Sequence, residues 1–133
     1  GKGKIVASIG AEAGNLPYTC FYATKSYMEE NPEVIQKFTN AIYKGQTWVS
    51  THTNEEIAKS IIEFFPGTDE DILASVMGNY KKINAIATTP YILEEDLIRL
   101  MDVIDSYDSD LLTDRPSFEK IVDNAFAEKA VKK

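Results

Sequence analysis

Hydrophobic positions recur along the chain with two rhythms, and the change of rhythm divides it. Lys4 to Ile9, "KIVASI", is a short apolar stretch with β-branched residues, which predicts a strand. "GAEAGNLP" follows, with two glycines and a proline, and predicts a loop. In "YTCFYA", Tyr18, Cys20 and Tyr22 fall on one face and Thr19, Phe21 and Ala23 on the other, and neither face is charged. That pattern predicts an interior strand covered on both sides, as in a parallel sheet.

From Thr24 the period lengthens to three and four. Thr24 is placed to N-cap a short helix through Glu30, and Asn31 to cap the next, with Pro32 in its first turn where a missing N–H costs nothing. A helix over Glu33 to Val49 carries Val34, Ile35, Phe38, Ala41, Ile42 and Val49 on one stripe, with Phe38 expected in the core. Gly45 interrupts it, at about 1 kcal/mol relative to Ala. Thr53 or Asn54 opens the next helix, Glu55 and Glu56 suit its dipole, and Pro66-Gly67 stops it. Thr68 with Asp71 has capping-box spacing, and Ile72, Leu73, Val76, Met77 and Tyr80 form the following stripe. "NAIATTPY" breaks the rhythm. A helix from Glu94 to Ser106 and a last one from Ser117, with Phe118, Ile121, Val122, Ala125 and Phe126 inward, complete the chain.

The pattern therefore predicts an α/β chain of two short strands and five or six helices. Two strands make a marginal sheet. An interior strand with so few neighbours implies that this is part of a larger α/β domain, or that its edges pair with another copy and drive self-association.

Charge narrows the partners. The net charge of −7 repels phosphate backbones and anionic lipid surfaces, and Lys81-Lys82 and Lys132-Lys133 are too short to form a basic patch. Nucleic acid is therefore not an expected partner. The single Cys20 rules out an internal disulfide and a Cys-rich metal site.

The remaining chemistry-bearing residues read as structural. His52 lies in "STHTNEE", where a helix ends, with no second His at metal-motif spacing. Cys20 reads as a small buried hydrophobe in its strand. Asp105, Asp108, Asp110 and Asp114 lack the glycine of a calcium loop and read as a solvated acidic stretch, and Glu94, Glu95 and Asp96 as first-turn helix acids. Trp48 reads as packing at a helix junction. No catalytic residue, metal ligand or cofactor is assigned, and the chain is not expected to be an enzyme.

The order and spacing of "GKGKIVAS…LPYT", "ENPE" and "VDNAFAEKA" resemble the C-terminal part of one family: the nitrate/sulfonate/taurine and thiamine-precursor family of ABC-transporter substrate-binding proteins. The resemblance runs collinearly over essentially the whole chain. It implies a fragment of a two-lobed, type II periplasmic-binding-protein-like fold. Residues 1–17 would close the second-lobe portion, and residues 18–133 would supply a first-lobe strand and its packing helices. It further implies capture of a small anion or a thiamine-precursor pyrimidine, delivery to ABC permease subunits, and an extracytoplasmic place, periplasmic or lipid-anchored.

Within that resemblance the loop Asn15 to Thr19 lies near the cleft. Asn15, Pro17, Tyr18 and Thr19 are thus the candidate ligand-binding residues, able to hold an oxyanion through hydroxyls, an amide and backbone N–H groups. Two rival readings are an enzyme of the same fold that makes a thiamine pyrimidine precursor, and a helical protein-interaction module. The last has no use for "KIVASI" and "YTCFYA" as neighbouring strands.

Overall fold

A computed structural model describes residues 3–4 and 6–132. Eight α-helices follow one another among them: α1 (Ile9–Glu12), α2 (Lys25–Glu30), α3 (Pro32–Thr51), α4 (Asn54–Ile61), α5 (Glu70–Lys82), α6 (Glu94–Tyr107), α7 (Phe118–Ile121) and α8 (Ala125–Val131). A 3-10 turn, Ile62–Phe64, extends α4. The described residues contain no strand and no sheet, which overturns the expected α/β fold class.

Neither predicted strand forms. Lys4 and Val6 to Ser8 have no regular structure, Ile9 opens α1, and Ile5 lies outside the described residues. Tyr18 to Ala23 run without ladder partners, with Tyr18 90% and Tyr22 95% exposed. Cys20, expected inside, is exposed. The physical reason is that period-2 alternation stabilises a strand only when a neighbouring segment supplies the hydrogen bonds.

The helices arise from local signals. Thr24 accepts from the Tyr27 N–H at 3.3 Å and starts α2. Thr53 and Glu56 form a reciprocal capping box at the start of α4, with Thr53 N–H to Glu56 Oε2 at 2.9 Å and Glu56 N–H to Thr53 Oγ1 at 3.2 Å. The Thr68–Asp71 box does not form; Asp69 stands at the α5 N-cap without a side-chain cap bond. Asn31 likewise makes no cap bond to α3, and its amide instead donates to Tyr27 O at 3.2 Å, closing α2. The last predicted helix is split at Val122 to Asn124, between α7 and α8.

Two helix pairs carry the packing: α4 against α5, and α3 against α8. Between α4 and α5, Ala58 (0% exposed), Leu73 and Ala74 form the core, with Ile61 and Ile62 against them; Ile57 (1% exposed) is also buried. Small residues at 58 and 74 let the two backbones approach, and Gly78 does the same near the start of α4: a Cβ there would lie 2.8 Å from the Asn54 amide nitrogen. α6 buries Leu97 and Met101, and α8 buries Ala127 and Ala130.

Polar side chains tie distant segments together. Gln36 of α3 donates to Phe126 O at 3.0 Å. Asn124 clamps the extended backbone at Ile92 in both directions, donating to its carbonyl at 2.8 Å and accepting its N–H at 3.2 Å. Arg115 grips Asp102 and Asp105 on α6, and the two carboxylates raise its pKa, Asp105 more than Asp102. These acids are part of a structural ion cluster, while Asp110 only closes a local turn on Asp108.

Candidate binding surfaces

The loop Gly14 to Thr19 is held against α6 by one arginine. Arg99 Nη1 donates to Asn15 O at 2.7 Å and to Asp96 Oδ1 at 3.0 Å. Gly14 has φ +75°, a conformation that favours glycine, and a Cβ there would lie 3.3 Å from Arg99 Nε, close enough to press on the guanidinium. Tyr18 N–H bonds to Leu16 O at 2.8 Å, a three-residue turn centred on Pro17, whose ring presets the φ that such a turn needs.

The predicted site residues are therefore ordered, in unequal ways. Asn15 contributes its backbone carbonyl to the anchor, Pro17 is half-buried, and Tyr18 and Thr19 face solvent. Their hydroxyls do not converge on a cavity. The group that sequence reasoning missed is Arg99, which lies 84 residues from Asn15 along the chain. Its two bonds both use Nη1; among the described residues Nε and Nη2 carry none. That edge of a guanidinium matches two oxygens of a carboxylate, nitrate or sulfonate. No spacing rule in the sequence pairs residue 15 with residue 99, so only the fold exposes the arrangement.

A second surface is a shallow groove of about 470 Å³ along α3 and α8, lined by Asn40, Tyr43, Lys44, Thr47, Trp48 and Thr51 of α3 and Ala130 of α8. Trp48 stacks on His52, ring centroids 4.1 Å apart at 24°. His52 Nδ1 lies 2.7 Å from Trp48 O and the His52 carbonyl accepts from Lys81 Nζ at 2.8 Å. The only histidine is thereby built into the end of α3, where an ammonium suits the negative helix terminus.

A third feature is a cavity of about 120 Å³ between α3 and residues 81–88, lined by Gln46, Val49, Ser50, Lys81, Asn84, Ile86, Ala87 and Thr88. Gln46 Nε2 donates to Thr89 O at 3.1 Å, while its Oε1 is buried and has no donor. An unmet buried acceptor costs about 1–3 kcal/mol, and a cavity of this size beside it has room for water to supply the missing O–H.

Among the described residues no group of three or more His, Cys, Asp or Glu is placed to hold a metal ion, and no helix is long and apolar enough to cross a membrane.

The chain is 36% identical over 129 residues to a protein of Bacillus subtilis (strain 168) named "Putative binding protein YtlA". The match takes in 97% of this chain and spans 38% of that protein's length. No protein-family model matches the chain, and no solved structure matches it significantly.

Proposed function

We propose that these residues belong to the solute-binding component of an ABC importer, and that the ligand is a small oxyanion such as nitrate, taurine or another sulfonate, or a thiamine-precursor pyrimidine. The observation that carries this reading is the near-whole-chain similarity to a protein named a binding protein. The motif resemblance of "LPYT", "ENPE" and "VDNAFAEKA" supports it. So does the chemistry of the Gly14–Thr19 loop, where the Nε–Nη2 edge of Arg99, which carries no bond among the described residues, offers two parallel N–H donors next to the Asn15 backbone. No bond is made or broken in such a role, and the component acts outside the cytoplasm, handing its solute to permease subunits.

The test is a titration followed by NMR, with sodium nitrate, taurine, methanesulfonate and a hydroxymethylpyrimidine added separately to the chain. Expected are shifts confined to Gly14–Thr19 and the Arg99 side chain, saturating in the millimolar range and lost in Arg99→Gln. Millimolar affinity is expected because a single open wall leaves most of a ligand wet. Absence of shifts there with all four compounds refutes the reading.

A second reading, a helical protein-interaction module, is favoured by one observation: among the described residues, those of "KIVASI" and "YTCFYA" form no strand and no sheet. In that case the α3 groove at Tyr43 and Trp48 is the contact, and Trp48→Ala, not Arg99→Gln, abolishes binding.

A further inference from the structure

α5 ends in a cap that turns the chain back towards α3. Asn84 has φ 54°, a left-handed conformation that asparagine tolerates. Ala85 N–H reaches Tyr80 O at 2.9 Å and Asn84 N–H reaches Lys81 O at 3.2 Å, the two bonds of a Schellman motif. Gln46 Nε2 then fastens the returning segment to α3 at Thr89 O. The cavity of about 120 Å³ lies between them, with Gln46 and Ser50 on α3, Lys81 at the end of α5, and Asn84 and Thr88 on the returning segment.

The hydrogen-bonding character of its walls is one-sided. The bond to Thr89 fixes which end of the Gln46 amide is nitrogen, so its buried Oε1 is an acceptor without a donor. The Ser50 hydroxyl gives its proton to Thr47 O at 2.8 Å and offers other groups only its lone pairs. Gln46 and Ser50 are four positions apart on α3, so the two acceptors are neighbours on one helix face. Charge of either sign is unwelcome. An anion would meet the negative ends of α3 and α5, since Ser50 lies in the last turn of one and Lys81 in that of the other. A cation would meet the Lys81 ammonium, and among the described residues no carboxylate lines the cavity to offset it. Lys81 gives one N–H to His52 O, which leaves it donors for a further oxygen.

We propose that this cavity is a binding site for a small neutral amide of the urea class. Its N–H groups face Gln46 Oε1 and Ser50 Oγ, and its carbonyl oxygen faces Lys81 Nζ. The space equals that of about four waters, each taking roughly 30 Å³ in the liquid. One planar amide supplies the missing donors and an acceptor together, with fewer molecules to immobilise than a water cluster. The site shares no residue with the Arg99 loop, so it stands or falls apart from the solute-binding reading.

The experiment titrates the isotope-labelled chain with urea, acetamide, acetone, acetate and guanidinium, which share one planar shape and size and differ in donors and charge. Concentrations stay below those that unfold the chain. NMR follows the Gln46 side-chain NH2 and the backbone amides of residues 84–88. The expected order of affinity is urea, acetamide, acetone, with urea about tenfold tighter than acetone, because a carbonyl without N–H groups leaves both acceptors unmet. Acetate and guanidinium are expected to bind more weakly than urea. Ser50→Ala, which alters an exposed side chain, is expected to weaken urea about fivefold while leaving acetone and the melting temperature unchanged. Gln46→Met is expected to abolish the preference for urea over acetone; if it also frees the Thr89 attachment, Ser50→Ala decides alone. Three results overturn the proposal: acetone or either ion binding as tightly as urea, urea affinity unchanged in Ser50→Ala, or no saturable shift with urea, which leaves the cavity to water.

Discussion

The α4–α5 pair and the N-terminal arm are both rich in apolar residues, yet one is the best buried part of the molecule and the other the most exposed. In the pair, Ile57, Ala58, Leu73 and Ala74 lose nearly all contact with water. In the arm, Val6 keeps 95% of its exposure. The difference is not hydrophobicity but where each segment finds its partner. A helix satisfies its own backbone and needs only one facing stripe, which the next helix along the chain supplies. An extended segment satisfies nothing by itself and depends on a neighbour that can lie anywhere. Apolar alternation therefore marks a segment that wants cover, and says nothing about whether the cover is at hand.

The largest effect expected is in the pair. Leu73→Ala should cost about 2–5 kcal/mol, because the side chain is buried between α4 and α5 and small neighbours at 58 and 74 leave little to collapse into the gap. Chemical denaturation reads it as a lower midpoint at unchanged slope. A loss below about 1 kcal/mol would mean that the pair is no better packed than the arm, and the contrast would dissolve.

What could be read in the sequence follows the same division. Pro32 in a first turn, Thr53 or Asn54 before the acids Glu55 and Glu56, and the stripes at Ile57–Ile61 and Leu73–Met77 are local devices, and the helices they announce are present, although the side-chain cap expected of Asn31 is not made. The breaks were not legible, because long-range bonds cause them. The chain departs from helix at Val122 to Asn124, where the Asn124 side chain is committed to the backbone of Ile92. Of the candidate site, the sequence announces only the loop, through its glycines and proline; its place near a ligand is an expectation from the resemblance. Its anchor, Arg99, is not announced, and neither is the buried Gln46 that holds Thr89.

Phe38 sharpens the comparison from between the two regions. The sequence pattern places it in the core, but the ring is 45% exposed and its recorded aromatic contact is Phe21 of the arm. Phe38→Ala should therefore cost about 1–2 kcal/mol rather than the 3–5 of a core ring. A core-sized loss would show that the arm closes over α3 more completely than the structure has it.

The α4 cap comes next. Thr53→Ala should cost about 1 kcal/mol. The Glu56 carboxyl is held below its ordinary pKa, chiefly by the Thr53 backbone N–H, with smaller help from His52 and the Thr53 hydroxyl against a small desolvation cost. A depressed folded pKa means stability that is complete above the unfolded value and lost as pH falls through the folded one. Thermal melts between neutral and acidic pH should show Glu56→Ala converging on the parent at the acid end, while Thr53→Ala, which keeps the Thr53 backbone N–H, keeps its deficit. Glu56→Gln, which keeps a capping-box amide, should respond less to acid. A Thr53→Ala deficit that vanishes at the acid end would show that the hydroxyl acts through the carboxylate.

The smallest effect is expected where the apolar residues are bulkiest. Tyr18 and Tyr22 are large, and in a packed strand their truncation to serine would rank with core losses of several kcal/mol. Here both stand in water. Tyr18 makes a turn bond only through its backbone N–H, which serine keeps. Residue 22 lies beyond that turn and before the Thr24 cap, so neither device depends on its side chain. Removing the two rings should therefore move the stability of the chain by less than about 0.5 kcal/mol, and could raise its solubility by shrinking an exposed apolar patch. Calorimetric melts of the double serine variant, set beside Leu73→Ala, measure both regions on one scale. A large loss in the arm would mean that its rings are already covered, by another part of this chain or by a second copy, and would remove the asymmetry between the two regions.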